Sequence, residues 1–511
     1  MPTDATTLWA LIEQRADTSP DALLAVDEHE RRLTFAEYRQ HAERVAVYLG
    51  SIGVGPGDRV AWQLPTCIDA VILVGALSRV GAVQIPTLPI YRERELRFML
   101  GQARPSVFIA RSTWRNFDAA AVVERLVADI GVDCRVIVAD GALPERDVDD
   151  ALLPAPPTDA DEVRWIFYTS GTTGEAKGAR HSDASILAGS RGIAAAYEID
   201  EHDRYPMVFP FTHIGGIGML CVQLITGAGA ILVEQFDAVA SPPFLAKHGL
   251  TIAAGGTPLA LVYLQQQRRN PDTPLFPALR ATMTGATVTP PGLHADLERE
   301  LGGIGALACY GLTEAPFLTV SSVGDSDNAR AETVGRPIGG AKVRIVTMDD
   351  TVAAPGVEGE VRAQGPQICM GYLDAARNAD AFDEEGWFRT GDLGRLDDDG
   401  YLVITGRLKE IIIRKGENIA AKEVEDVLYD HPAIAEVAVI GLPDPLLGER
   451  CCAVVVPRDD SLPPTLADIV EFCRAAGLAM QKIPEQLEVV AELPRNASGK
   501  VLKYQLQEQL P

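Results

Sequence analysis

Apolar runs of strand length alternate with stretches of helical period along the first half of the chain. Arg59–Leu64, Val107–Ala110 and Arg135–Ala139 read as strands, and Ile68–Val80 is apolar enough throughout to be a buried helix. That alternation predicts an α/β fold with layered, mostly parallel sheets. Pro144–Asp161, rich in Pro, Ala and Asp, reads as a surface connection into the central strand Val163–Tyr168. The pattern resumes at Ala230–Glu234, Thr251–Ala254, Arg280–Thr284 and Ala306–Cys309. From Lys342 onward the runs shorten to Lys342–Val346, Gly359–Ala363, Gly394–Leu396 and Tyr401–Thr405, around the turn Asp398–Asp399–Gly400. Asp/Gly turns between short strands are hairpin chemistry and predict a small antiparallel, β-barrel-like subdomain. After Gly406–Arg407 comes an α+β tail: helices Ala421–Asp430 and Thr465–Ala476 among strands Ile411–Ile413, Glu436–Ile440, Ala453–Val456 and Leu487–Val490. A tail of this size holds its own core. The expected division is an N-terminal domain of residues 1–408 and a C-terminal domain of residues 409–511.

Charge narrows the function classes. The 511 residues include 46 basic and 71 acidic side chains, a net charge of −25. Such a surface argues against nucleic acid and against anionic membranes, both of which reward basic patches. A small anion is still admissible, but its site must be local. Only nine of the basic residues are Lys; six of these lie in the last fifth of the chain, and Lys177 stands alone in a Gly/Thr-rich loop. Eight Cys lack CxxC or Cys/His ligand spacing, which predicts reduced thiols and a cytoplasmic protein. The start has no signal-peptide pattern, and no apolar stretch is long enough for a transmembrane segment.

The strongest local chemistry is Tyr168–Thr169–Ser170–Gly171–Thr172–Thr173–Gly174–Glu175–Ala176–Lys177–Gly178, directly after a predicted strand. Glycines permit close backbone approach, hydroxyls and N–H groups line a phosphate-sized concavity, and one Lys adds charge. It is not a Walker loop, because Lys177 lies between Ala176 and Gly178, and it contains no GxGxxG dinucleotide fingerprint. On composition alone, a flexible surface loop is the competing interpretation.

Six further segments follow in order: Tyr310–Gly311–Leu312–Thr313–Glu314, Gly391–Asp392, Gly406–Arg407–Leu408–Lys409–Glu410, Lys415–Gly416–Glu417–Asn418, Glu423–Val424–Glu425 and Pro494–Arg495–Asn496–Ala497–Ser498–Gly499–Lys500. Together with the loop they resemble the adenylate-forming superfamily of acyl-CoA synthetases, peptide-synthetase adenylation domains and luciferases, from about Leu33–Tyr38 to the end of the chain. The resemblance implies two half-reactions. A carboxylate attacks the α-phosphorus of ATP to give acyl-adenylate and pyrophosphate, and a thiol, CoA as co-substrate, then displaces AMP. The first step joins an anion to a polyanion, so it needs positioning and charge neutralisation more than a base.

By motif, the resemblance implies that Thr169, Ser170, Gly171, Thr172, Thr173, Gly174 and Lys177 cradle the β- and γ-phosphates. Glu314 is the implied Mg²⁺ carboxylate with Thr172 beside the metal, and Thr313 an α-phosphate contact. Gly285, Ala286 and Thr287 would lie against adenine with Tyr310 and Gly311, Asp392 would accept the ribose hydroxyls, and Arg407 would reach the nucleotide from the hinge side. Lys500 corresponds to the catalytic lysine, and Lys409 to the hinge about which a mobile C-terminal domain turns to bring Lys415 and Gly416 to the thiol. Read without the resemblance, Asp392 is a turn former, Lys500 an exposed loop lysine and Glu314 a surface acid. The resemblance also permits a homodimer.

For the acid, Pro210–Phe211–Thr212–His213–Ile214–Gly215–Gly216 resembles the segment that gates the acyl pocket, with His213 as gate or as a structural His. Ile214, Ile217, Met219 and Leu220 would supply apolar wall, Gly215, Gly216 and Gly218 would leave room, and Thr284, Gly311 and Ala315 would lie opposite. No acid suited to an amino-acid ammonium group stands there, so the expected substrate is an uncharged hydrocarbon acid, with a lean toward a bulky one. A carrier-protein phosphopantetheine in place of CoA, or a non-catalytic nucleotide-binding homologue, are the alternatives.

Overall fold

In the computed structural model, the described residues are 4–169, 176–285, 289, 290, 292–414, 417–445, 447–495 and 500–510. The central sheet has six strands in the order Arg135–Val138, Val107–Ala110, Arg59–Gln63, Val83–Pro86, Val163–Thr169, Lys177–Ser182, parallel throughout except for the last pair. Beside it lie a four-stranded sheet ordered Arg32–Thr34, Leu23–Asp27, Gly229–Leu232, Arg204–Met207, and a five-stranded sheet running from Ile252–Ala253 to Arg336–Pro337. Apart from the edge strand Arg135–Val138, the parallel strands of the central sheet are buried on both faces, which is why they read as continuous apolar runs. The helix Ile68–Val80 connects two of them and leaves only Arg79 short of burial. Burying each Leu, Ile or Val of such a helix stabilises by about 1.5–3 kcal/mol.

The hairpin region forms one antiparallel sheet of Lys342–Val346, Gly359–Gln364, Phe388–Leu396 and Leu402–Arg407. Beyond it, the single 3-10 turn Leu408–Glu410 leads into a last sheet around the long pair Ile434–Asp444 and Gly448–Pro457. Val437 and Val439 pack on one face of that sheet with Val424 and Leu428, while Ala438, Ile440 and Leu442 pack on the other with Leu506. That period of two gives the segment from Ile412 onward apolar clusters drawn from its own residues. Among the described residues no helix is long and apolar enough to cross a membrane.

Lys177 and Gly178, expected in the loop, instead open the antiparallel strand Lys177–Ser182, and strands such as Leu23–Asp27, Val83–Pro86, Arg204–Met207 and Ala315–Val320 add to those read from the sequence.

Candidate functional site

The two ends of the Gly/Thr-rich loop are fixed by strand pairing. Thr169 closes Val163–Thr169, Lys177 opens Lys177–Ser182, and the two are direct cross-strand partners. Ser170, Gly171, Thr172, Thr173 and Gly174 lie outside the described residues. Lys177 Nζ stands 5.0 Å from the ring centroid of Tyr372. The Tyr372 hydroxyl donates to Glu314 Oε1 at 2.6 Å, and both side chains are buried. Tyr372 reaches this position because Met370–Leu373 hydrogen-bonds along Gly178 and Arg180. From the same strand, His181 Nε2 lies 2.8 Å from the Thr313 carbonyl oxygen. Burial pushes the His181 imidazole down to about 4, so the ring is neutral and its Nε2–H donates to that oxygen. Thr313 is thus held by His181 of the strand that leaves the loop, and Glu314 by Tyr372, which hydrogen bonds along that strand hold in place.

A second group of residues meets at Asp392, which is 2% exposed. Its carboxylate accepts the Tyr310 hydroxyl at 2.7 Å and pairs with Arg407 Nε at 2.6 Å. The register sets this up, since Asp392 and Arg407 are opposite one another in the antiparallel sheet. Gly285 pairs with Cys309, next to Tyr310. Its φ of +139° and the 2.2 Å that would separate a Cβ from the Cys309 carbonyl oxygen restrict this position to Gly. Ala286 and Thr287 lie outside the described residues, and Gly311 is exposed.

Lys500 comes to the same place from the C-terminal segment. Burial and the Arg407 charge push its ammonium down to about 8, against the pull of Glu410 and Asp392. Lys409, in the turn Leu408–Glu410, is also lowered, by burial and then by the charges of Lys177 and Arg407. Four cations from three separate parts of the chain, Lys177, Arg407 with Lys409, and Lys500, therefore border one region, an arrangement that suits a polyanion. Lys415 and Gly416 lie outside the described residues.

His213 caps the helix Ile214–Thr226, its Nδ1 accepting the Gly215 N–H at 3.2 Å. With Thr212, Ile214, Phe167, Tyr168, Leu88 and Thr313 it lines a narrow cleft, open to solvent, that among the described residues carries no Asp, Glu, Lys or Arg in its lining. The rest of the expected acyl wall is placed elsewhere. Ile217, Met219 and Leu220 are buried in the main core. A Cβ on Gly216 would come within 2.5 Å of the Phe211 backbone, and one on Gly218 within 2.4 Å of the Phe317 ring. Those glycines leave room for the protein's own chain, which removes the basis for expecting a bulky acid. Phe317 itself has a left-handed φ of +50°. Thr284 and Ala315 are buried.

Residues 12–373 match the model of the AMP-binding enzyme family, and residues 423–500 match that of the AMP-binding enzyme C-terminal domain. The chain belongs to the AMP-binding enzyme family. It is 32% identical to the medium-chain fatty-acid–CoA ligase of Escherichia coli over 98% of this chain and 89% of that protein. It is 33% identical to a salicyl-AMP ligase / salicyl-S-ArCP synthetase of Mycobacterium tuberculosis over 99% of this chain and 91% of that one. The ATP-bound crystal structure of MatB from Rhodopseudomonas palustris superposes with a TM-score of 0.87 at 26% identity, covering 99% of each chain.

In this AMP-binding enzyme, sequence reasoning missed His181 and Tyr372. His181 sits in the string Arg180–His181–Ser182, whose polarity carried no strand signal, and Tyr372 is one aromatic beside a Gly. Neither partner is near in sequence: Thr313 is 132 residues from His181 and Glu314 is 58 from Tyr372.

Proposed function

We propose that this AMP-binding enzyme is an ATP-dependent acyl-CoA ligase for a hydrophobic carboxylic acid. The observation that carries the reading is the convergence of Lys500, the Tyr310–Asp392–Arg407 group and the Lys177–Tyr372–Glu314 group on one region. In the first step a carboxylate oxygen bonds to the α-phosphorus as that phosphorus releases pyrophosphate. Lys500 balances the charge building on the two reacting anions, as a compact cation on a flexible stem does. Thr313 contacts the α-phosphate, and Lys177 with the loop from Thr169 holds the β- and γ-phosphates. Asp392 receives the ribose hydroxyls, and Tyr310 flanks the adenine beside Gly285. Glu314 fits Mg²⁺ as an oxygen ligand, because Tyr372 occupies Oε1 and the carboxylate keeps a second oxygen; Thr172 is the other residue for it. The ion supplies neutralisation of phosphate charge.

In the second step the thiol sulfur attacks the acyl carbonyl carbon and the bond to AMP breaks. Residues 409–511 form the unit that turns about Lys409 against residues 1–408 between the steps. The absence of charged side chains from the described lining of the His213 cleft supports an uncharged acid, and eight cysteines without a disulfide fit the cytoplasm. Pyrophosphate release from a panel of straight-chain, alicyclic and aromatic acids tests the reading; turnover confined to amino acids overturns it. Lys500→Ala should abolish adenylate formation while leaving thiolation of preformed acyl-adenylate largely intact, and equal loss in both refutes its role. Kinship with the salicyl-AMP ligase / salicyl-S-ArCP synthetase favours a carrier-protein thiol as the second reading, tested by exchanging CoA for a carrier in the thiolation assay.

A further inference from the structure

The segment that carries Lys500 is anchored by a set of charges that the adenylation step does not itself use. Lys503 opens the terminal helix Lys503–Gln509 and places Nζ 2.7 Å from Glu410 Oε2 and 2.7 Å from Glu425 Oε1. Glu425 is buried and accepts the Val439 N–H at 2.7 Å. Burial opposes the Lys503 ammonium, yet the two carboxylates more than offset it and raise the group above its ordinary value. Glu410 belongs to the turn Leu408–Glu410, directly after Lys409, and Glu425 to the helix Ala421–Tyr429. One ammonium therefore ties together the hinge turn, a helix and the C-terminal segment. Charged groups that act on Lys500 include Arg407, Glu410, Asp392 and Lys503, and Glu410 interacts with both lysines.

A buried ion pair is a poor device for stability alone, since desolvation consumes most of the attraction. Its fixed geometry is a better device for holding chain segments at set distances. We propose that Lys503 is a positioning residue that fastens the Lys500 segment to Glu410, so that the hinge turn and Lys500 move as one rigid piece. This rests on the roles given above to Lys500 and Lys409. Without Lys503, Glu410 becomes a counter-ion for Lys500 and draws it away from the reacting atoms.

The test uses the full-length chain with K503M, K503R, K500A and the double variant K503M/E425Q, which avoids leaving Glu425 unpaired. Acid-dependent ATP–pyrophosphate exchange is followed from neutral to alkaline pH. K503M and K503M/E425Q should lose roughly 10- to 100-fold in kcat with a much smaller change in KM for ATP, as expected of a misplaced group. The alkaline midpoint should move upward in both as the Lys503 charge is lost and Glu410 turns to Lys500, and K503R should restore most of the rate and return the midpoint. Wild-type kcat and midpoint in K503M/E425Q beside an inactive K500A overturn the role of Lys503 alone. A rate loss with an unmoved midpoint and no rescue by K503R overturns it as well. Exchange that survives in K500A overturns the reading of Lys500 and the role of Lys503 with it.

Discussion

Lys500 titrates within reach of neutral pH because burial and Arg407 oppose its charged form more strongly than Glu410 and Asp392 favour it. A lysine that acts as a cation loses its function as pH rises through its pKa. For adenylate formation, kcat/KM, which reports the free enzyme, should fall on the alkaline side of about 8. A profile flat well beyond that value removes Lys500 from the step. Tyr372→Phe deletes the hydrogen bond that orients Glu314 and leaves the ring beside Lys177 in place. A bond to a charged acceptor is worth about 1.5–3 kcal/mol, so the Mg²⁺ needed for half-maximal pyrophosphate release should rise by about ten-fold or more. An unchanged Mg²⁺ requirement would detach Tyr372 from Glu314's role. Lys500, Glu314 and Asp392 were legible in the sequence because each lies in a compact motif. Tyr372 and His181 were not, because what they do is defined only by partners the fold brings to them.

Elements show the same division. Ile68–Val80 and Lys342–Val346 coincide with the residues read from the pattern, since apolar period alone determines them. Lys177–Ser182 is mostly polar and becomes a strand through pairing with Val163–Thr169, a tertiary demand that overrides local preference. Likewise the residues of the helix Ile214–Thr226 were read as acyl-pocket wall, and their pattern did not reveal that Gly216 and Gly218 meet Phe211 and Phe317. At the end of the strand Ala281–Gly285, backbone geometry leaves no alternative to Gly. Gly285→Ala combines a left-handed φ with a collision against a backbone carbonyl, and should destabilise by more than about 1 kcal/mol. The urea midpoint should drop at constant slope; an unmoved midpoint would mean that the strand end relaxes freely.

Across the whole molecule, the proposed reaction cycle requires the C-terminal unit to serve two sites in turn. Lys409 lies in a single 3-10 turn between strands, where a few residues absorb a rotation. Lys409→Pro should restrict that turn and slow thioester formation from preformed acyl-adenylate by roughly ten-fold or more, with a smaller effect on pyrophosphate exchange. Unchanged thiolation in this variant would place the hinge elsewhere. The layered parallel sheets and the separate tail were readable from patterning, whereas the Lys503–Glu410–Glu425 cluster inside the tail was not, because Lys503 lies 93 residues from Glu410. The strand Lys177–Ser182 grips the Gly/Thr-rich loop at one end and, through Tyr372 and His181, the Thr313–Glu314 pair along its length. Lys177 on this strand and Glu314, reached from it through Tyr372, share one framework, so in the proposed site nucleotide and cation should bind as a linked equilibrium. Whatever factor the nucleotide adds to the cation's affinity, the cation must return to the nucleotide.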